Sequence, residues 1–251
     1  MIAMFRAELI KLKRSAVWVI APILPLLAVF TGTLNVVNNP DSLVGGWDSL
    51  TSQVTLFYSL MFFSVGIALL TATAWRVEHR GSNGNLLLTN TRRPMALVLA
   101  KIAAILVPVA AMQLLLVAGT LLAGLRVLDL SVPVPWGFAV AGALAVFVAV
   151  PLVAVQSLLS MLLRSFAAPV AICVLGCVAG LASVLSPALN TAAYVLPQAL
   201  VTRALTLGSS AIAGSGSLSI TDAMPLALSA GALSVAVVAL SVLSIRRIVL
   251  R

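Results

Sequence analysis

Charge is the scarcest resource of this 251-residue chain: only 8% of its residues are Asp, Glu, Lys or Arg, while 62% are hydrophobic. A water-soluble domain carries about 25% charged and about 45–50% apolar residues. Departures of that size in both directions exclude a soluble globular protein and leave lipid as the solvent for most of the chain. Cysteine is nearly absent too. Cys173 and Cys177 are the only two, which excludes a disulfide scaffold and a four-cysteine metal site. They stand one helical turn apart beside Gly176 and Gly180, a spacing that suits a small-residue packing groove better than a metal site.

The missing chemistry is as informative. His79 is the one histidine and all six acids, Glu8, Asp41, Asp48, Glu78, Asp129 and Asp222, fall outside the long apolar runs. No paired carboxylates, nucleophile with its base or histidine ligand set is available for catalysis inside a membrane. A carrier driven by protons or sodium keeps ionisable groups within its spans, and these runs offer only amides and hydroxyls such as Gln113, Gln156, Tyr58, Ser64 and Ser157. A phosphate-binding loop needs Gly-Lys-Ser or Gly-Lys-Thr, yet Lys11, Lys13 and Lys101 precede Leu12, Arg14 and Ile102. The chain therefore reads as no enzyme, holds no cofactor or metal of its own, and must draw any driving energy from a partner.

What is present is six apolar runs, about 16–37, 54–75, 102–125, 136–163, 167–189 and 223–245. At 1.5 Å per residue, about 20 residues cross a hydrocarbon core about 30 Å thick. The fold class predicted is an all-α integral membrane protein, a single domain over 1–251 with six transmembrane helices. Arg164, Ser165 and Pro169 mark a tight turn between the fourth and fifth. An even number of spans puts both termini on one side. Thirteen of the 15 basic residues lie on that side and only Arg126 and Arg203 lie opposite, so the positive-inside rule makes the terminal side cytoplasmic. The same placement makes the net charge of +9 a matter of topology, and no nucleic-acid partner is called for.

Between the spans, three segments stand out. In the first, Ile2, Phe5, Leu9 and Leu12 recur at helical spacing while Arg6, Lys11, Lys13 and Arg14 supply cationic heads. That pattern fits a short interfacial helix on anionic lipid, and equally an ordinary basic flank that sets topology. The second, Arg76 to Lys101, is a cytoplasmic loop with charges at its entry, Gly81 and Gly84 for tight turns, and the triple leucine Leu86, Leu87 and Leu88. It reads either as a docking surface for a soluble partner or as a solvated connector whose leucines rest on the lipid interface. The third, Asn190 to Asp222, is half apolar and predicts a short re-entrant helix at the outer face.

Two of these segments carry a family resemblance. Arg6-Ala7-Glu8-Leu9-Ile10-Lys11-Leu12-Lys13-Arg14-Ser15 ahead of the first span, and Glu78, Gly81-Ser82, Leu86-Leu87-Leu88, Arg92 and Ala100-Lys101 between the second and third, resemble the membrane subunits of type 2 ATP-binding-cassette exporters. The likeness is greatest to the small permeases of bacterial lantibiotic and bacitracin self-protection. The family's loop often places a proline soon after the leucine pair, whereas here Thr89-Asn90-Thr91 delays it to Pro94.

The resemblance implies a cytoplasmic coupling helix between spans two and three, with Glu78, His79, Arg80, Gly81, Leu86, Leu87 and Leu88 meeting a separate ATPase. Two copies of that ATPase would bind the ATP and Mg. It implies a second permease chain, identical or paralogous, and a pathway between the two chains, for which the residues suggest Tyr58, Phe62, Gln113 and Gln156. It also implies export of an amphiphile, such as a peptide antibiotic, a drug or a lipid-like molecule, across a bacterial cytoplasmic membrane. The other reading of the same residues is a membrane anchor or assembly scaffold that transports nothing.

Overall fold

Six long helices form the body of the molecule. A computed structural model of the chain describes residues 2–40, 43, 45–79, 93–131, 133–211 and 219–249, and all regular structure among them is helical. A short helix α1 (Ile2–Lys13) is followed by a turn that Ser15 closes: its hydroxyl donates to the Leu12 carbonyl at 2.9 Å and accepts from the Val17 N–H at 3.3 Å. Helix α2 (Val17–Asn38) is the first span. The second begins at Gly46, after Gly45, and the φ values of 80° at Gly45 and 78° at Gly46 suit glycine. It runs through α3 (Gly46–Phe57), a π-helical turn (Tyr58–Phe62) and α4 (Phe63–His79) as one 34-residue helix.

The third span is α5 (Pro94–Arg126), which Pro94 opens at a position where its missing N–H costs nothing. The fourth is α6 (Trp136–Val148) and α7 (Val150–Leu162), joined at Ala149 where Pro151 interrupts the ladder. Helix α8 (Ala167–Leu185) is the fifth span. Two 3₁₀ turns (Pro187–Leu189, Ala192–Tyr194) lead to the short α9 (Pro197–Thr206), and α10 (Ile220–Val249) contains the sixth. Six of these helices are long and apolar enough to cross a membrane. Their outward faces agree, for Leu114 and Leu175 are each 70% exposed, and apolar surface on this scale calls for lipid.

Several boundaries differ from those read in the sequence. The second span starts at Gly46 instead of residue 54, because Ser49, Leu50, Thr51 and Val54 are buried against neighbouring helices and need no lipid. Arg76–His79 and Pro94–Lys101, read as loop, are helical: Glu78 and Lys101 find partners inside the protein, which a hydropathy pattern does not register. The fifth span stops at Leu185, where Pro187 opens a 3₁₀ turn. The turn expected between the fourth and fifth falls at residues 163–166.

Helix α9 is the short helix expected between the last two spans, and it is packed inside the bundle. Ala199, Leu200, Val201 and Ala204 are wholly buried against α6, α8 and the π turn. The π turn leaves main-chain carbonyls without their usual helical donors. Thr202 supplies one, its hydroxyl donating to the Ser59 carbonyl at 2.8 Å. Thr202→Val keeps the shape and removes the donor, and is expected to cost about 1–2 kcal/mol. Thermal unfolding of the detergent-solubilised chain, compared with Thr31→Val on an exposed helix face, measures it.

Candidate coupling site

Two lysines and two glutamates meet at the end of the bundle where α1 sits. Glu8 and Lys11 lie one turn apart on α1 and face inward together, Glu78 comes from the last turn of α4, and Lys101 from the third turn of α5. The Lys101 ammonium lies 2.8 Å from Glu8 Oε2 and 3.0 Å from Glu78 Oε1, and that of Lys11 lies 2.8 Å from Glu8 Oε1 and 2.7 Å from the same Glu78 oxygen. Each cation bridges both anions, so the group is neutral and cross-linked. Lys101 is 1% exposed and the two glutamates 5% each.

Burial of this depth is tolerable only with every charge partnered, since an unpaired ion in the interior costs several kcal/mol. The rest of the surroundings supply partners as well. The Lys101 ammonium stands 4.6 Å from the centre of the Trp75 ring, on the face where the ring's negative potential attracts cations. Trp75 donates its indole N–H to Ser157 Oγ at 2.8 Å, and His79 Nε2 donates to the Ser160 carbonyl at 2.6 Å. One network thus joins α1, α4, α5 and α7. Burial alone would lower the Lys11 pKa, but the hydrogen bonds to Glu78 and Glu8 outweigh it and hold the pKa above the usual 10.5. A raised lysine pKa contributes stability that is present below the unfolded value and lost only as pH climbs through the folded one. Lys11 therefore keeps its charge, and its bonds to Glu8 and Glu78, throughout the neutral range.

Its position is what matters for function. Helix α4 ends at His79 and α5 begins at Pro94, so the four charges fasten together the two helices that flank residues 80–92. Of the expected coupling residues, Glu78 and His79 are seen. Arg80, Gly81, Leu86, Leu87 and Leu88 lie outside the described residues. The expectation for Glu78 changes: a carboxylate engaged by two lysines and 5% exposed is an internal bridge and offers a partner protein little surface.

The N-terminal helix changes likewise. Phe5, Leu9 and Leu12 pack on the protein core and Lys11 is drawn into the cluster, leaving Arg6, Lys13 and Arg14 exposed with Ile2 and Ile10. The apolar stripe seen in the sequence serves the contact with α5, and only Ile2 of that stripe faces outward.

A family model described as ABC-2 family transporter protein matches residues 4–180. This stretch holds all four charges, the first four spans and most of the fifth. The chain belongs to the ABC-2 transporter family. It is a multi-pass membrane protein and a permease subunit, and membership implies an ABC ATPase partner. Searches of curated proteins and of solved structures return no match.

The residues expected along the substrate pathway of this ABC-2 permease are not gathered around an opening. Tyr58 is fully buried, its ring stacked 5.4 Å from that of Phe63. Phe62 is half-buried beside Phe57. Gln113 and Gln156 are buried with amides unpaired among the described residues, and Gln113 faces Gly142 of α6. Hydropathy marks such polar residues as unusual without saying which helix face they occupy.

A cavity of about 520 Å³ opens instead near the opposite end, between α8, α9 and α10. Its lining mixes Arg203, Asn190 and Asp222 with Val184, Leu185 and Leu226. The Arg203 guanidinium stacks on the Tyr194 ring at 4.8 Å and donates to the Asn190 amide oxygen.

Sequence reading missed Glu8, Lys101, Trp75 and Ser157 as a group. A signal did exist. Glu8 and Glu78 are the only acids on the basic side of the chain, and Lys101 is the only lysine inside a long apolar helix. Buried charges must be neutralised, so the three had reason to be placed together.

Proposed function

We propose that this permease moves an amphiphile, such as a peptide antibiotic, a drug or a lipid-like molecule, out of a bacterial cell through its cytoplasmic membrane. The terminal, basic side would be the cytoplasmic one. ATP and Mg are bound and used by a separate ATPase present in two copies, and a second permease chain, identical or paralogous, completes the pathway; this chain is itself no enzyme. The finer likeness to lantibiotic and bacitracin self-protection permeases rests on the Glu8 and Glu78 segments and suggests a role in antibiotic resistance.

The observation that carries the coupling part is the neutral cluster of Glu8, Lys11, Glu78 and Lys101 at the root of residues 80–92. A push on that segment by an ATPase reaches α1, α4 and α5 as one piece, because no single ion pair can part without exposing a buried charge. The cavity around Arg203 and Asp222, lined by both polar and apolar residues, supports an amphiphilic cargo.

The test begins by purifying the tagged chain with whatever ATPase accompanies it and reconstituting the pair. The triple substitution L86A/L87A/L88A and the single Glu78→Gln are expected to lower cargo-stimulated ATP hydrolysis at least several-fold. Glu78→Gln should do so with the ATPase still bound, since it acts through helix positioning. Variants that change only the amount of ATPase bound, with turnover per complex untouched, would point to a scaffold.

A further inference from the structure

On the same end of the bundle, but on the far side of α4 from the charge cluster, a cavity of about 190 Å³ is enclosed by α4, the end of α7 and the 163–166 turn. Its polar lining is Arg76, His79, Ser160, Arg164 and Ser165, with no carboxylate among the described residues. Neither arginine is ion-paired among the described residues. Arg76 lies 5.7 Å from the centre of the Phe166 ring, an arrangement that orients a guanidinium while leaving its N–H edges available. Ser160 is 2% exposed and its hydroxyl has no hydrogen-bond partner among the described residues.

Two further features point the same way. Helix α8 starts at Ala167 beside the cavity, and the N-terminus of this 19-residue helix adds partial positive charge, although its Ala168 N–H is given to Ser165 Oγ at 3.3 Å and Pro169 has none. His79 spends its Nε2 on the Ser160 carbonyl, which leaves Nδ1 as its remaining polar atom. The chemistry gathered here is thus that of an anion site. Two guanidiniums with fixed forks, a buried hydroxyl and a helix N-terminus match the tetrahedral oxygens of a phosphate group.

The position chooses the phosphate's source. The cavity sits where three candidate spans end or begin, at His79, Leu162 and Ala167. Apolar side chains at or next to its lining are exposed: Phe166 on the lining is 38% exposed, and Leu162 and Val77, sequence neighbours of the lining residues Leu163 and Arg76, are 49% and 40% exposed. A free phosphate gains nothing from such a rim, whereas acyl chains would cover it. We propose that this cavity holds the phosphate headgroup of an anionic phospholipid from the leaflet at this end. A lipid seated there would join the end of α4 to the turn between the fourth and fifth spans. This goes beyond the exporter reading and does not depend on it, because the site belongs to the permease alone.

The experiment uses the full chain in mild detergent, stripped of lipid and titrated separately with dioleoylphosphatidylglycerol, dioleoylphosphatidylcholine and inorganic phosphate, with retention followed by native mass spectrometry. Saturable binding of phosphatidylglycerol is expected, with phosphatidylcholine much weaker and inorganic phosphate unable to displace it. R76Q/R164Q should weaken that binding about 30-fold, about five-fold for each arginine. R246Q/R247Q removes the same charge elsewhere on the chain and should leave it unchanged. If the double variant does not accumulate, R164Q alone, on the exposed turn, is expected to show the five-fold loss. Equal binding by wild type and R164Q would overturn the proposal, as would an equal loss in R246Q/R247Q. Full displacement by inorganic phosphate would overturn the lipid assignment in favour of a free-anion site. ATPase coupling is not measured in any arm, so these outcomes stand apart from the test of export.

Discussion

Lys101→Met is expected to destabilise the chain by about 3–5 kcal/mol. Methionine keeps the length and flexibility of the lysine stem and removes only the ammonium. The cluster then changes from neutral to a net charge of one negative, and Glu8 and Glu78, each 5% exposed, are left with Lys11 alone. Lys11 cannot replace what is lost, because its side chain is 35% exposed and approaches from the outer edge of the group. Adding Glu8→Gln restores neutrality, with Lys11 facing Glu78, so E8Q/K101M is expected to recover a large part of the loss. Urea or thermal unfolding of the detergent-solubilised chain reads both variants. Hydrogen exchange should show α1 loosened in K101M first, since the Lys101 link to Glu8 ties that helix to α5. Wild-type stability in K101M would mean that the cluster is an incidental surface group, which its burial argues against.

Gly32→Val is expected to cost about 3 kcal/mol or more, by forcing helices apart. Ala28 and Gly32 form a small-residue pair on α2 that lets α3 approach closely. A Cβ on Gly32 would lie 2.7 Å from Val54 Cγ2, 2.8 Å from Val54 N and 2.9 Å from Val54 Cα. Two of those three atoms are backbone, so no rotamer change relieves the clash and the helix must shift. Gly66→Ala is the comparison. Its added methyl meets the tip of Met112, with Cε at 2.5 Å, and a methionine tip can swing away. The G66A cost should therefore be clearly smaller. Equal costs would show that α2 and α3 yield to each other more easily than their spacing implies.

The contrast between these two glycines shows what the sequence could and could not disclose. Both sit in apolar runs with the same local pattern, and only the identity of the neighbour, a backbone in one case and a flexible side chain in the other, separates them. The spans themselves were legible because about 20 apolar residues in a row have few alternatives to lipid. The 163–166 turn was legible from Arg164, Ser165 and Pro169. Helix α9 was legible in outline from the apolar stretch after Pro197, though its burial against α6 and the π turn was not. Glu78 was singled out from its place in a loop, yet its partners lie 67 residues before it at Lys11 and 23 after it at Lys101. Pairings across such distances are decided by packing. The same holds for Gln113 and Gln156, whose polarity marked them while the face they occupy depended on neighbours along α6 and α7.

The π turn at Tyr58–Phe62 also divides the second span into two halves that answer to different neighbours. One inserted residue turns the chain beyond it by about 100° relative to an unbroken α-helix. Helix α3 lays its face on α2, while α4 packs on α7 and α8 and keeps a contact with α2 as well. The second span is in effect a shaft keyed at two angles: the half that begins at Gly46 turns with the first span, while the half that ends at His79 is gripped by the first, fourth and fifth together.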